Sequence, residues 1–589
     1  MSERIFIGVA WPYANGPLHL GHIAGAYLPA DIFARYHRTK GNEVLMVSGS
    51  DQHGTPITLK AEEEGKKPGE IANRYHQQFL DSWQKLGISF DLFTSTGTAN
   101  HDEVSQDIFL TLIDKGYIYK SSMSQPFCPQ CQRFLPDRYI EGTCPYCHSS
   151  GARGDQCNDC SKPMNAAELI EPRCRQCGTT PQFKESEHFF LKLTAFGDEI
   201  SKWVKSMQKR WRPNVYMLTQ RYLKEGLRDR AITRDIEWGI PVPVNGFEDK
   251  RLYVWFEAVI GYLSASKEWA KSTDDREKWR SFWHKDEGAK SYYFIGKDNI
   301  PFHTLIWPAM LMGYDDELNL PYDIPANEFL TIEGRKLSTS QNWAVWVPDY
   351  LSRYDPDPLR YLLSINMPET GDTDFSWREF IRRNNNELVA TYGNLVNRVL
   401  TFVYKNFDGC VPEHNKYNEI RDYLISLEKE KDPGAKPEIG LDDRSMNMLE
   451  DAKELLRELG TEENSLLPNC KFKQAIMAAM HFAQEVNRYL DEKSPWKVIK
   501  QDRQAAADSL YIALYVISCL KTALYPFLPF SSQKLHEFLG FKGNVEDYGW
   551  QPNVPLPGQK LLPPDPLFTK LDEKLAEEEA SRLGRAQYE

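Results

Sequence analysis

Eight of the eleven cysteines lie between Cys128 and Cys177 as four C-x-x-C pairs, Cys128/Cys131, Cys144/Cys147, Cys157/Cys160 and Cys174/Cys177. Each pair can fold into a knuckle offering two thiolates, and two knuckles complete a tetrahedral zinc site of four sulfurs with no position open to a substrate. Two such sites account for all eight thiols. Cys410, Cys470 and Cys519 stand alone. The N-terminus lacks a basic stretch followed by an apolar segment and a cleavage site, so thiolate metal sites are expected rather than disulfides.

The cysteine block constrains the fold because it interrupts an α/β pattern. Residues 5–9 and 44–48 read as parallel strands, with a helix near 20–38 between them and further helices near 69–86 and 102–115. From about Tyr119 the chain turns turn-rich and cysteine-rich. Alternation returns near Leu252-Tyr-Val-Trp and Tyr292-Tyr-Phe-Ile-Gly, so an insertion splits a nucleotide-binding fold. After Thr331 come a glycine-basic loop and short helices. From Trp377 to about Leu539 the period is helical, with Pro495 and Pro526 as punctuation. The charged stretch 428–444 reads as a surface loop, and the tail from 550 as Pro-rich, then helical from Leu567 to Ser581. The expected fold is α/β plus all-α: a Rossmann-type doubly wound parallel sheet split by a zinc-knuckle insertion, followed by an α-helical bundle. The expected divisions are 1–119, 120–230, 231–330, 331–376, 377–545 and 546–589.

At 589 residues the chain exceeds one hydrophobic core and calls for three to five domains. It has no apolar run of eighteen residues. The most apolar piece, Leu510 to Leu520, is stopped by Lys521 and Pro526 and reads as a buried helix, so a cytoplasmic protein without a membrane span is expected. A net charge of −12 argues against binding nucleic acid over the whole surface. Local basic groups remain, Lys205, Lys209, Arg210 and Arg212, then Arg378, Arg382 and Arg383; each is also an ordinary solvated helix face.

Ala10 to His22 follow the first strand and precede an apolar-periodic stretch, the order strand, glycine-bearing turn, helix. On a helix entered near Leu18, His19 and His22 project from one face of its first turn. Gly21 leaves room for a flat group such as a purine, and a helix N-terminus suits a phosphate. Packing or a capped loop would also explain two histidines near a glycine. Asp51, in Asp51-Gln-His-Gly54, sits where strand ends line a ligand crevice and could hold a substrate ammonium, or cap the next helix. Asn394 and Arg398 lie four apart on one helix face.

The string Pro12 to His22 resembles the HIGH signature of class I aminoacyl-tRNA synthetases. Pro-Tyr-Ala-Asn-Gly within it resembles the methionyl-tRNA synthetase family, although isoleucyl enzymes carry a similar string. Gly334-Arg-Lys-Leu-Ser-Thr-Ser340 resembles the second class I signature, KMSKS. The resemblance runs from about residue 3 to 575 with motifs in order, including Gly226 to Asp235 and Trp238 to Pro243. It implies a two-step reaction, in which methionine and ATP give methionyl-adenylate and the methionyl group then passes to the terminal ribose of methionine tRNA. His19, His22 and Lys336 would act electrostatically on the phosphates, with magnesium accompanying ATP.

The resemblance also distributes roles. Asn15, His19, Gly21, His22, Lys297, Asp298, Lys336, Ser338 and Thr339 fall at ATP-binding positions. Ala10, Trp11, Tyr13, Asp51, Trp255, Ala258, Tyr262 and His303 fall at methionine-binding positions; aromatic walls suit a polarizable thioether. Asn394, Arg398 and Trp496 match anticodon readers, and a tryptophan can stack on an unpaired base. Family members with one zinc keep the inner cysteine pairs, which implies nesting: Cys144, Cys147, Cys157 and Cys160 on one zinc, Cys128, Cys131, Cys174 and Cys177 on the other. Three departures stand out: Val259 replaces a proline, Asn299 an apolar residue, and Thr339 the second lysine of the loop. A monomer is expected, because the chain ends where the family core ends. Two rivals remain. An isoleucyl-type synthetase needs a much larger insertion than residues 120–230, and a tRNA-binding protein that does not aminoacylate is made thinkable by Thr339.

Overall fold

The computed structural model describes residues 2–585 except 155, 156, 158, 161, 163, 165, 340, 415, 416, 421 and 424–440. Most of the charged stretch 428–444 therefore lies outside the described residues.

The organising strand is β1 (Arg4–Val9). It leads into a helical run, α1 (Leu20–His22), a wider π turn over Ile23–Tyr27, and α2 (Leu28–Thr39). β2 (Glu43–Ser50), α3 (Thr55–Glu64), α4 (Pro68–Leu86), β3 (Leu92–Ser95) and α5 (Ala99–Asp114) follow. An antiparallel ribbon then leaves the domain and returns, β4 (Ile118–Cys128) paired with β5 (Gln182–Leu191) from Ile118 opposite Leu191 to Phe127 opposite Gln182. The insertion is thus carried on a long two-stranded arm rather than on turns alone. Along β4 exposed Ser122 and Ser124 alternate with half-buried Ser121, Met123 and Gln125, and these mostly short polar side chains hide the strand in a linear reading.

The chain re-enters through α6 (Val254–Lys271) and β6 (Lys290–Gly296), then β7 (Ala326–Asn327). Leu252 belongs to a two-residue strand paired with Thr233–Arg234 and not to the main sheet. The main sheet has the order β7-β6-β1-β2-β3, and every pair is parallel, with Ile7 between Tyr292 and Met46. Side chains of β1 alternate between two cores: Ile5, Ile7 and Val9 face one, Phe6 faces the other with Leu45 and Val47. Burial on both faces explains the nearly continuous apolar run of β1.

Beyond the sheet, β8 (Leu330–Ile332) and β9 (Arg335–Lys336) form a hairpin, with β10 (Thr373–Phe375) parallel to β8. The bundle includes α7 (Trp377–Arg383), α8 (Asn394–Asn406), α9 (Asp443–Leu456), α10 (Phe472–Lys493) and α11 (Arg503–Leu524). Among the described residues, α11 alone is long and apolar enough to cross a membrane, and 89% of its apolar window is buried inside the protein. The final helix, α12, spans only Leu575–Arg582. The expected start at Leu567 fails because the Asn385 side chain takes the N–H and C=O of Leu571 while Asn384 donates to the Thr569 carbonyl. Those bonds hold the segment out of a helix.

Candidate active site

Strand order reverses direction of growth at β1: β2 and β3 extend the sheet on one side, β6 and β7 on the other. The carboxyl ends of β1, β2 and β6 therefore border one crevice, the usual ligand position in an open parallel sheet. Ala10, Trp11 and Tyr13 leave β1 there, Asp51 follows β2, and Lys297 and Asp298 follow β6. The backbone of Asp51 is tied to that of the first turn, donating to Pro12 O at 2.8 Å and accepting from the Ala14 N–H at 2.8 Å. Asn15 lies in the turn that follows.

The helix begins at Leu20, where the reading of 20–38 puts it, so His19 occupies the N-cap position in an extended conformation. The two imidazoles still meet, stacked with centroids 3.8 Å apart. The His19 N–H donates to His22 Nδ1 at 3.2 Å, which leaves the proton of neutral His22 on Nε2, free to donate. Burial pushes His22 down to about 4, and burial with the neighbouring His22 pushes His19 well below its usual value. Both rings are neutral donors near neutral pH, not cations. Nδ1 of His19 is buried without a partner.

The space beside Gly21 is filled differently from expectation. A side chain there would meet Leu337 Cδ1 at 2.7 Å and the His19 ring at 3.1 Å, so the loop after β9 rests on the histidine turn. Backbone bonds reinforce the approach, Leu20 N–H to Val345 O at 3.1 Å and Val347 N–H to Leu18 O at 2.8 Å. Ser338 is bonded to Trp343 in both directions, Thr339 and Lys336 are exposed, and Arg335 stacks on Trp343 at 4.0 Å. Lys297 points to carboxylates, Glu328 at 2.7 Å and Asp372 at 3.0 Å, with Phe329 beneath it. Its charge is thus engaged within the protein. Asp298 stands exposed beside it.

On the opposite side of Tyr13 lies an aromatic pocket. Trp255 Nε1 donates to the Tyr13 hydroxyl at 3.0 Å, and the Trp255 ring meets Phe302 edge-on at 5.0 Å. His303 Nδ1 donates to Asn299 O at 2.9 Å, so its Nε2 accepts from the Tyr262 hydroxyl at 2.7 Å; burial holds His303 at about 4. That bond uses the Asn299 backbone, whatever its side chain. Trp11 is wedged between Gly49 and Gly261, where a Cβ at position 261 would lie 2.7 Å from its ring. Ala258 is half-buried on α6 and Val259 is buried in the core behind it.

A buried polar cluster beside this pocket escaped the sequence reading. Glu257, fully buried, accepts from His53 Nδ1 at 2.9 Å and faces His101 Nε2 at 3.5 Å. Its signal was a lone acid inside Val254-Trp-Phe-Glu-Ala-Val-Ile. Asp51 is also buried; its carboxylate accepts the His53 N–H at 3.3 Å and does not cap α3, whose N-cap is Gly54.

The eight thiols come together as two groups, Cys128, Cys131, Cys174 and Cys177, and Cys144, Cys147, Cys157 and Cys160, with all sulfurs of a group within 4.8 Å of one another. Individual S–S separations are 3.4 Å for Cys128–Cys177, 3.8 Å for Cys131–Cys174, 3.8 Å for Cys144–Cys160 and 3.6 Å for Cys147–Cys157. Four sulfurs at a Zn–S distance of about 2.3 Å lie about 3.8 Å apart, so the donor sets fit the ion.

In the bundle, Asn394 is exposed at the start of α8, and the Arg398 guanidinium lies over the Trp496 ring at 4.4 Å while pairing with Asp491 at 3.2 Å. Of the basic groups named as phosphate contacts, Arg212 is spent on Asn327 and the carbonyls of Ala326 and Cys470, Arg210 covers Tyr322, and Arg382 and Arg383 pair with Glu379 and Glu387. Arg212 thus cross-links distant segments, whereas Arg210 and Arg382 stay exposed and Arg382 and Arg383 pair with acids of their own helical run.

A nucleotide-type crevice with paired histidines under a Lys-Leu-Ser loop, continued into a helical bundle, defines the class I aminoacyl-tRNA synthetases. Residues 5–400 match the family described as tRNA synthetases class I (M), and residues 442–587 match the anticodon binding domain of methionyl tRNA ligase. The chain belongs to the methionyl-tRNA synthetase family. It is 60% identical over 584 residues to the methionine–tRNA ligase of Dehalococcoides mccartyi strain BAV1, covering 99% of this chain and 100% of the relative. It is 52% identical over 609 residues to that of Thermomicrobium roseum, covering 99% of each. The solved structure of Mycobacterium tuberculosis methionyl-tRNA synthetase in complex with methionyl-adenylate superposes with a TM-score of 0.75 at 25% identity, over 96% of this chain and 99% of that one.

Proposed function

We propose that the chain is a methionine–tRNA ligase, which activates L-methionine with ATP to methionyl-adenylate and passes the methionyl group to the terminal adenosine of methionine tRNA. The observation that carries this reading is the turn after β1: one side borders the aromatic pocket at Tyr13 and Trp255, the other carries the His19/His22 stack under Leu337. Both reactants would meet at one strand end, and positioning them supplies much of the rate.

In this reading the methionine side chain lies against Trp11, Tyr13, Trp255, Ala258, Tyr262 and His303, beside Ala10, with its ammonium on Asp51. Neutral His303 is fixed as an acceptor for Tyr262, which keeps the pocket free of charge and suits a thioether over a charged side chain. Asn15, Gly21, His19 and His22 border ATP, and the imidazoles stabilise developing phosphate charge as N–H donors. Lys336, Ser338 and Thr339 face the triphosphate from the loop. Lys297 and Asp298 act near the ribose, Lys297 exchanging a carboxylate for phosphate. Magnesium enters with ATP as part of the substrate.

Cys144, Cys147, Cys157 and Cys160 would hold one zinc, and Cys128, Cys131, Cys174 and Cys177 a second. Bound there with all four positions taken by sulfur, the ion supplies folding energy and no catalysis. Asn394, Arg398 and Trp496 would meet the anticodon, an unpaired base stacking on the Trp496–Arg398 platform. The reading takes the chain as a cytoplasmic monomer. Pyrophosphate exchange across a panel of amino acids tests the assignment. Exchange strongest with methionine is expected; strongest with isoleucine, or none with any amino acid, would overturn it.

A further inference from the structure

The cluster around Glu257 gathers charged groups from three elements at the amino-group end of the pocket. The segment after β2 brings Asp51 and His53, α5 brings His101 and Asp102, and the first turn of α6 brings Glu257. Asp51, His53, His101 and Glu257 are all under 7% exposed. His101 is held by Ser264 Oγ at 2.8 Å, and Asp102 is only half-buried. His53 touches both carboxylates in different ways, its ring Nδ1–H on Glu257 at 2.9 Å and its backbone N–H on Asp51 at 3.3 Å. His101 also lies against Trp11 of the thioether pocket, ring centroids 6.2 Å apart.

We infer that the buried His53–Glu257 ion pair is a positioning device: His53, bonded to both carboxylates, compensates Glu257 and so lets Asp51 accept an ammonium in the amino-group subsite. The inference rests on the reading of Asp51 as the ammonium acceptor. Two carboxylates confined together in a dry site do not both ionise readily. Burial, and after it the charge of Glu257, hold the Asp51 carboxyl well above the usual carboxylate range; His53 limits that rise without reversing it, and an ammonium arriving beside Asp51 completes its ionisation. With a proton held on His53 by Glu257, that pair is neutral and presents no uncompensated carboxylate to Asp51. Without that imidazolium, Asp51 and Glu257 would share a proton, and a protonated Asp51 loses its charge-assisted bond.

Charge counting gives an ordering that simple structural damage would not. His53→Gln leaves two opposed carboxylates and should raise the methionine KM in pyrophosphate exchange by about 10- to 100-fold, with the ATP KM within about threefold of the parent. Glu257→Gln removes the competing carboxylate along with the pair, so nothing opposes an ammonium at Asp51 and the methionine KM should change by less than about fivefold. The double variant H53Q/E257Q removes the uncompensated carboxylate and should recover most of the loss. A double variant as impaired as H53Q, or worse, would overturn the inference, since accumulated packing damage gives that result.

A second readout uses two competitive probes, methioninol and its deamino counterpart 4-(methylthio)butan-1-ol. The parent should prefer the ammonium-bearing probe, H53Q should lose at least about tenfold of that preference, and the double variant should regain it. An unchanged preference in H53Q also overturns the inference. Asp51→Asn separates the two ideas: if it abolishes the preference while H53Q keeps it, the inference alone fails; if D51N keeps the preference, the reading of Asp51 fails.

Discussion

The sheet and the helical bundle are joined by a buried charge network whose removal should be felt directly. Asp31 on α2 and Arg360 are both fully buried and lie 2.7 Å apart, with Arg35 at 3.0 Å on the same carboxylate. Arg360 also donates to Leu86 O, Pro526 O and Phe527 O, so one guanidinium ties the layer at α4 to the turn after α11. Against a burial that opposes it, Arg35, Arg360 and the bonds from Ser89 hold Asp31 at about 2. Relative to an ordinary value near 3.8, that depression is worth about 2 kcal/mol. Asp31→Asn removes it and leaves Arg360 buried on three carbonyls, with no bonded carboxylate and only the charge of nearby Asp357 to offset it. Breaking such a pair costs about 3–5 kcal/mol, and the surviving carbonyl bonds place the expectation near the lower end, about 3 kcal/mol at pH 7.

The sign with pH follows. A carboxylate depressed on folding stabilises above its unfolded value and loses that contribution as pH falls through its folded value. The gap between parent and D31N should therefore be full at pH 5 to 7 and shrink between about pH 4 and pH 2. Urea unfolding followed by tryptophan fluorescence at several pH values measures it. A loss below about 1 kcal/mol at pH 7, or a gap equally large at pH 2.5, would refute the argument that this pairing joins the two layers.

Three further outcomes are expected. Gly21→Ala presses on Leu337 and on an His19 ring already stacked on His22, so pyrophosphate exchange should slow by about 10- to 100-fold, as overpacking of about 1–3 kcal/mol implies, with methionine affinity retained in equilibrium binding. Zinc analysis should find two ions per chain, falling to one in Cys160→Ala or in Cys131→Ala; an unchanged count in either would reject that donor set. Trp496→Ala should leave amino-acid activation intact while lowering aminoacylation kcat/KM by about 10-fold or more, the stacking value of about 1–3 kcal/mol, and equal loss in both assays would place Trp496 in structure rather than recognition.

Legibility in the sequence followed the range of the interaction. Strands β1 and β2, the helical bundle, the four knuckles and the His19/His22 spacing are properties of neighbours along the chain: an apolar run, a period of 3.6, a two-residue gap between cysteines. Such patterns carry their own physical reason and could be read without a fold. The contacts that give the site its state join distant segments. His53 meets Glu257 across 204 residues, Lys297 is drawn to Glu328 and Asp372, and Leu337 settles on Gly21. Asn385 captures Leu571 and so shortens the last helix. Burial in the packed molecule also neutralises the signature histidines, because desolvation acts on a ring only when other elements cover it. Sequence alone thus determined strands β1 and β2, the helical bundle and the metal knuckles. Only the tertiary structure decided their charge, their partners and the space left between them, since all three depend on segments brought together by packing.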